Sequence, residues 1–136
     1  MQRRILFFCL FLPLTFSCNK IIEKKKESVA MDAITNGRWY VKDYKAAGVY
    51  VTSEFNGYEF QFYDNGKVDA FVNTSVTNGT WVGDLNAETI TSNFAGATQP
   101  VSRLNGVWKL TDNSWTYVKA YNVNGADTNF LDLQKK

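Results

Sequence analysis

Histidine is absent from all 136 residues, and cysteine occurs only twice. Without histidine there is no Ser-His-Asp or Cys-His nucleophile system, no imidazole general base and no zinc site of the usual histidine-containing types. A large excess of either charge is missing too. Fifteen Lys and Arg stand against thirteen Asp and Glu, for a net charge of +2, and 15% of residues are aromatic. That combination excludes a disordered chain. From Met31 onward, nine basic residues meet eleven acidic ones, a balance of −2, so no nucleic-acid partner is expected. Neither a nucleotide-binding glycine loop nor a nucleophile elbow occurs. After residue 36 there is no long apolar pattern at helical spacing. A single folded domain that is not an enzyme, holds no cofactor or metal and works as a monomer is the expectation at this length.

The N-terminus reads as an address. Arg3 and Arg4 precede an almost unbroken apolar run, Ile5 to Leu14. About ten residues are too few to span a ~30 Å hydrocarbon core and suit the h-region of a signal peptide. Thr15-Phe16-Ser17-Cys18 follows. A small residue ahead of a cysteine, directly after an h-region, resembles the lipobox of bacterial lipoproteins. The resemblance implies cleavage after residue 17, acylation of Cys18 on sulfur and on its new amino terminus, and attachment to a membrane. Cys9 would leave with the signal peptide, so the mature chain would have no disulfide. Two or three acyl chains, at ~0.8 kcal/mol per buried CH₂, make a practically permanent anchor. Residues 18–32, with Lys20, Lys24, Lys25 and Lys26 among Glu23 and Glu27, read as a charged tether. Asn19 lacks the acidic character that retains some lipoproteins in the inner membrane, so the outer membrane of a bacterial envelope is favoured.

Beyond the tether, six Asn-Gly dipeptides punctuate short stretches rich in Val, Thr, Tyr, Phe and Trp. Period-2 alternation predicts eight strands near 38–45, 57–63, 67–73, 79–84, 88–94, 103–110, 115–121 and 129–134. Register can be argued for two hairpins. A three-residue loop, Asp64-Asn65-Gly66, sets Phe62 opposite Val68 and Phe60 opposite Ala70, whereas a two-residue loop would mix the faces. A two-residue Asp112-Asn113 loop sets Leu110 opposite Trp115 and Trp108 opposite Tyr117. Eight consecutive antiparallel strands must hide their edges, and an up-and-down barrel does so completely. The strand-poor stretch 95–102 could instead be the crossing connection of a sandwich.

Asn36-Gly37-Arg38-Trp39, Asn78-Gly79-Thr80-Trp81 and Asn105-Gly106-Val107-Trp108 share one pattern, and the first opens strand one. A Gly-x-Trp there, ahead of an eight-stranded meander ending Leu131-Asp132-Leu133-Gln134-Lys135, resembles the lipocalin (calycin) family, and with the lipobox it resembles lipocalin-like lipoproteins. The resemblance covers residues 33–136. It implies a small barrel with Trp39 closing its base. The sequence departs from the family in three places. Asn113 replaces the tyrosine after Thr111-Asp112, no late arginine is placed over Trp39, and the flanking C-terminal helix has no counterpart.

Two readings of the interior stay open. Trp39, Phe60, Phe62, Trp81, Trp108, Trp115 and Tyr117 could line a site for a small apolar ligand. Equally, seven large rings among the ~24 inward positions of a small barrel could fill it, leaving an interaction module such as an inhibitor or an assembly accessory for an envelope partner. Glu54, Glu59, Asp64 and Asp69 cluster near the second predicted strand, and paired carboxylates can do acid–base work. Glu59 and Asp69 fall on the polar face, however, where solvation is the simpler role. Tyr40, Tyr44, Tyr63 and Tyr121 are expected to be partly exposed.

Overall fold

The computed structural model describes residues 16–136 and, within its first helix, side chains from Lys25 onward. The expected signal peptide lies outside the described residues except for Phe16 and Ser17. A helix, α1 (Phe16–Thr35), leads into nine antiparallel strands: β1 (Trp39–Ala46), β2 (Val49–Tyr50), β3 (Glu59–Phe62), β4 (Lys67–Val72), β5 (Ser75–Asp84), β6 (Thr89–Asn93), β7 (Gly106–Asn113), β8 (Tyr117–Asn124) and β9 (Asp127–Lys135). β1 pairs with β9 as well as with β3, so eight strands close into an up-and-down barrel, with the two-residue β2 as an extra. Among the described residues no helix is long and apolar enough to cross a membrane.

The eight predicted strands are all present. Phe62 faces Val68 and Phe60 faces Ala70, with Gly66 at φ 83°, as the three-residue loop requires. The β7–β8 hairpin differs from expectation. Leu110 pairs with Ala120 and Asn113 with Val118, and Thr111 is the extra residue of a bulge. The turn lies later than predicted because Ser114 closes it. Its amide donates to the Tyr117 carbonyl at 2.9 Å, and its hydroxyl accepts from the Thr116 amide at 3.1 Å. The 78–79 dipeptide also departs from the turn pattern. It lies inside β5, whose turn from β4 is made by Asn73 and Thr74.

Residues 18–32, expected as a tether, are helical, and Met31 and Ile34 pack onto the core. Tyr44, expected near the surface, is only 2% exposed. A bulge between Val41 and Asp43 turns it inward, where it stacks on Phe55 at 5.4 Å and donates to the Arg103 carbonyl at 2.7 Å. Burial pushes its phenol up to about 12, so it remains a donor at any physiological pH. This end of the barrel is sealed by two 3₁₀ turns, Thr52–Phe55 and Val101–Leu104, which bury Phe55, Val101 and Leu104. Arg103 bridges them by pairing with Glu54 at 2.7 Å. The strand-poor stretch 95–102 is thus part of a cap, and the barrel leaves no sandwich.

On the outer wall, Asp132 faces Asp43 on β1 and Lys119 on β8, and its Oδ1 is buried without a partner. Burial raises its pKa and Asp43 adds to the rise, while Lys119 and Lys42 oppose it. Folding therefore favours the protonated acid. The cost is absent below the unfolded-state pKa and grows as pH rises through the folded one. Asp132→Asn is expected to raise the urea midpoint at pH 7, with the gain fading toward about pH 3. An unchanged or lower midpoint at pH 7 would mean that the Lys119 pairing outweighs desolvation.

Candidate functional site

Five of the seven residues expected to line the barrel do converge on its interior. Trp39, Phe60, Phe62, Trp81 and Trp108 are all buried. The other two do not join them. Trp115 sits in the β7–β8 turn, 52% exposed. Tyr117 is half-buried, beside the inward Val118, and donates to Asp112 Oδ2 at 3.0 Å. The displaced hairpin register explains both.

The interior itself is nearly full. Phe60, Phe94, Trp108, Leu110 and Leu131 are among the walls of a central void of only about 30 Å³, room for a few water molecules at most. A second and larger space, about 550 Å³, opens at the end of the barrel where α1 sits. Its floor is Trp39, Trp81, Ile90, Leu110 and Val118. The ends of β5 to β8 and their turns form one side. The roof is α1. Lys26, Glu27, Ala30, Met31, Ala33 and Ile34 face the space, a single stripe at helical spacing.

The roof is fixed at its C-terminal end. The Trp39 indole N–H donates to the Ile34 carbonyl at 2.9 Å, and Lys135 Nζ donates to the Ala33 carbonyl at 2.9 Å. Those carbonyls belong to the last turn of α1, which has no intrahelical donors for them. Lys135 Nζ also lies 5.0 Å from the centre of the Trp39 ring. Burial holds its ammonium below the ordinary lysine pKa. A lysine of the last strand therefore occupies the place where no late arginine was found. The lipocalin resemblance implies that Trp39 closes one end. It does lie buried at this end, but as part of the cleft floor, so the end is left open above it.

Both floor indoles have spent their N–H groups, Trp39 on Ile34 and Trp81 on the Tyr63 carbonyl at 2.8 Å. They offer a ligand only apolar faces. The volume and the mostly apolar floor match small-molecule sites in general. Sequence reasoning missed Ile90, Leu110 and Val118 as site residues because it looked for aromatics. Alternation already placed Leu110 in phase with Trp108. The contribution of α1 carried no comparable signal.

The predicted acidic cluster disperses. Glu59 accepts from Lys136 at 2.7 Å and lies 3.4 Å from Arg38. The Lys136 hydrogen bond, with help from Arg38, holds its carboxyl below the usual range, which suits an ion pair rather than a general acid. Glu54 is taken by Arg103. Asp69 pairs with Gln61 across β3 and β4. Among the described residues no group of three or more His, Cys, Asp or Glu could hold a metal ion.

No family model matches the chain, and no curated protein matches it in sequence. Among the solved structures that share the architecture are two that superpose over most of this chain. A DUF4847 family protein from Bacteroides vulgatus superposes with a TM-score of 0.59 at 12% identity, over 79% of this chain and 97% of that one. Japanin from Rhipicephalus appendiculatus, solved bound to cholesterol, superposes with a TM-score of 0.53 at 6% identity, over 77% of this chain and 78% of its own. At such identities the likeness is one of fold, and the fold is a lipocalin-like (calycin-like) antiparallel barrel.

Proposed function

We propose that this protein binds a small apolar molecule, without catalysis, in the cleft between α1 and the barrel mouth. The observation that carries the reading is the cleft itself: about 550 Å³ above a floor of Trp39, Trp81, Ile90, Leu110 and Val118. Japanin, with the same general fold, was solved holding cholesterol, which supports an apolar occupant. The ligand would sit at the mouth rather than in the centre, where the void is too small.

Native mass spectrometry of the full-length protein purified from its host tests this. A reproducible added mass that vanishes on denaturation is expected. Ala30→Trp, which fills the cleft from the helix side, should weaken retention by about tenfold or more, equivalent to roughly 1.4 kcal/mol of lost contact. Retention unaffected by Ala30→Trp would place the ligand elsewhere. A bare mass would favour the second reading, an envelope interaction module, for which the filled interior is the supporting observation.

The proposal extends to location. The lipobox-like Thr15-Phe16-Ser17-Cys18 supports a lipid anchor on Cys18 in a bacterial envelope, with the outer membrane favoured. Cys18 lies within α1, 16 residues before Ile34, which is ~24 Å of helix. Cys18→Ser is expected to abolish incorporation of a fatty-acid probe and to release the protein from membranes. Continued labelling of the variant would overturn the anchor.

A further inference from the structure

The floor of the cleft carries no ionisable group and no free indole N–H, so any polar part of a ligand must be met at the rim. The charges there are already balanced. Lys26 and Glu27 are neighbours on α1, and Asp112 lies opposite Lys119. Glu88 has Lys109 at 3.7 Å, and Asp84 shares a cross-strand row with the same lysine through Thr89. What the rim leaves free is backbone. β5 runs on to Asp84, whereas β4 begins at Lys67, the partner of Thr80. The Trp81 amide makes the last bond on that edge of β5, donating to the Gly66 carbonyl at 2.9 Å. β5 and β6 stay in register through Gly83, paired with Ile90. Peptide groups alternate between the two edges of a strand, so the N–H and C=O of Gly83 point the same way as the Trp81 amide. No strand faces them there, and among the described residues neither finds another partner. Residue 83 also lacks a side chain without needing to. It lines the cleft in phase with Trp81, and its φ lies outside the left-handed region. A Cβ there would meet one atom, Trp81 Cζ3 at 3.3 Å, tight but short of a clash. Glycine weakens a strand, and where neither backbone nor packing demands it, close approach of a ligand is the role left.

We infer that Gly83 is the polar recognition point of the cleft, and that the ligand is an uncharged amphiphile whose head accepts and donates a hydrogen bond side by side, as a primary carboxamide does. The N–H and C=O of one extended residue lie next to each other on the same edge of the strand. A carboxamide matches that pair with its own C=O and NH₂. With no side chain at residue 83, nothing stands between the cleft and this edge. The apolar body lies on the floor beside Trp81, Ile90 and Val118. A carboxylate brings no donor for the Gly83 carbonyl, and an ammonium brings no acceptor for its N–H. This rests on the cleft being the ligand site. Each neutral hydrogen bond changes affinity by about twofold to tenfold.

The test uses the full chain carrying Cys18→Ser, titrated with octanamide and with N,N-dimethyloctanamide, which keeps the acceptor and has no donor. Tryptophan fluorescence is the readout. Octanamide is expected to bind about twofold to tenfold tighter, although the dimethyl compound is the more apolar. Gly83→Ala adds a Cβ and keeps the N–H. Gly83→Pro adds a Cβ and removes the N–H, with no β5–β6 ladder bond lost, because that N–H points away from β6. The proline variant is expected to lose octanamide affinity by about twofold to tenfold beyond the alanine variant. A second measurement needs no substitution at residue 83. With the glycine nitrogens isotope-labelled for NMR, the Gly83 amide should exchange quickly with solvent in the free protein and several-fold more slowly with octanamide bound. Equal or tighter binding of the dimethyl compound would overturn the head-group assignment and leave the cleft standing. Equal losses in the two variants, or a Gly83 amide that octanamide does not slow, would overturn the role of the free peptide edge. If neither probe binds, the cleft reading falls and this inference with it.

Discussion

Trp39→Ala is expected to cost about 3–5 kcal/mol of stability, as deletion of a buried indole does, read as a fall in the urea midpoint at unchanged slope. Trp39 is 1% exposed and performs three tasks. It fills the core at the head of β1. It pairs with Phe60 on β3 and Lys135 on β9, and the Phe60 pairing is the single register contact between β1 and β3. It also donates to the Ile34 carbonyl, tying α1 to the barrel. Truncation leaves a cavity, an orphaned carbonyl and an ammonium without its aromatic face. Trp39→Phe separates these effects. It keeps most of the packing and loses the donor, so about 1–3 kcal/mol is the expected cost. Hydrogen exchange in the last turn of α1 should accelerate in the Phe variant more than exchange in β8. Equal protection in both regions would mean that α1 is held by packing alone. An unchanged midpoint in the Ala variant would mean that the barrel closes without Trp39.

The contrast between Trp39 and α1 shows what the sequence could reveal. Strands announce themselves here because inward and outward residues alternate: Phe60 and Phe62 against Gln61, Leu131 and Leu133 against Asp132. That alternation also fixed the β3–β4 register, since only one loop length matched the faces. Alternation fails at bulges. Thr111 in β7 and the Val41–Asp43 step in β1 each shift the phase by one, which misplaced Trp115 and Tyr117 and hid Tyr44. α1 was illegible for another reason. Its lysines and glutamates are good helix formers, but a solvated spacer has the same composition. Only its last turns meet the barrel, too short a contact to impose a periodic stripe on twenty residues. The candidate site depends on that helix and on turns, so its location was invisible while its tryptophans were not.

Gly79→Ala is expected to destabilise by about 1–3 kcal/mol, although alanine is the better residue for most strand positions. Gly79 lies within β5, opposite Val68, and faces the barrel interior beneath Phe94. A Cβ there would stand 2.6 Å from Phe94 Cδ1 and 2.8 Å from the Asn93 carbonyl oxygen. Both are far inside contact distance. The ring cannot swing away, because Phe94 is 1% exposed and wedged in the core. The carbonyl cannot move without breaking the pairing of Asn93 with Thr80. Against this, removing a glycine from the unfolded ensemble returns about 0.4–1 kcal/mol, which is smaller than the overpacking term. The sign is therefore set by the clash. Asn78-Gly79 looks like a turn in sequence, yet its glycine serves close packing between adjacent strands. A double-mutant cycle with Phe94→Leu tests the assignment: Gly79→Ala should cost less in the leucine background, by a coupling of about 0.5–3 kcal/mol. Full relief is not expected, because the Asn93 carbonyl remains. An additive cycle would show that the backbone contact alone forbids a side chain, and a stabilised Gly79→Ala would show that Phe94 does not rest on Gly79 in solution.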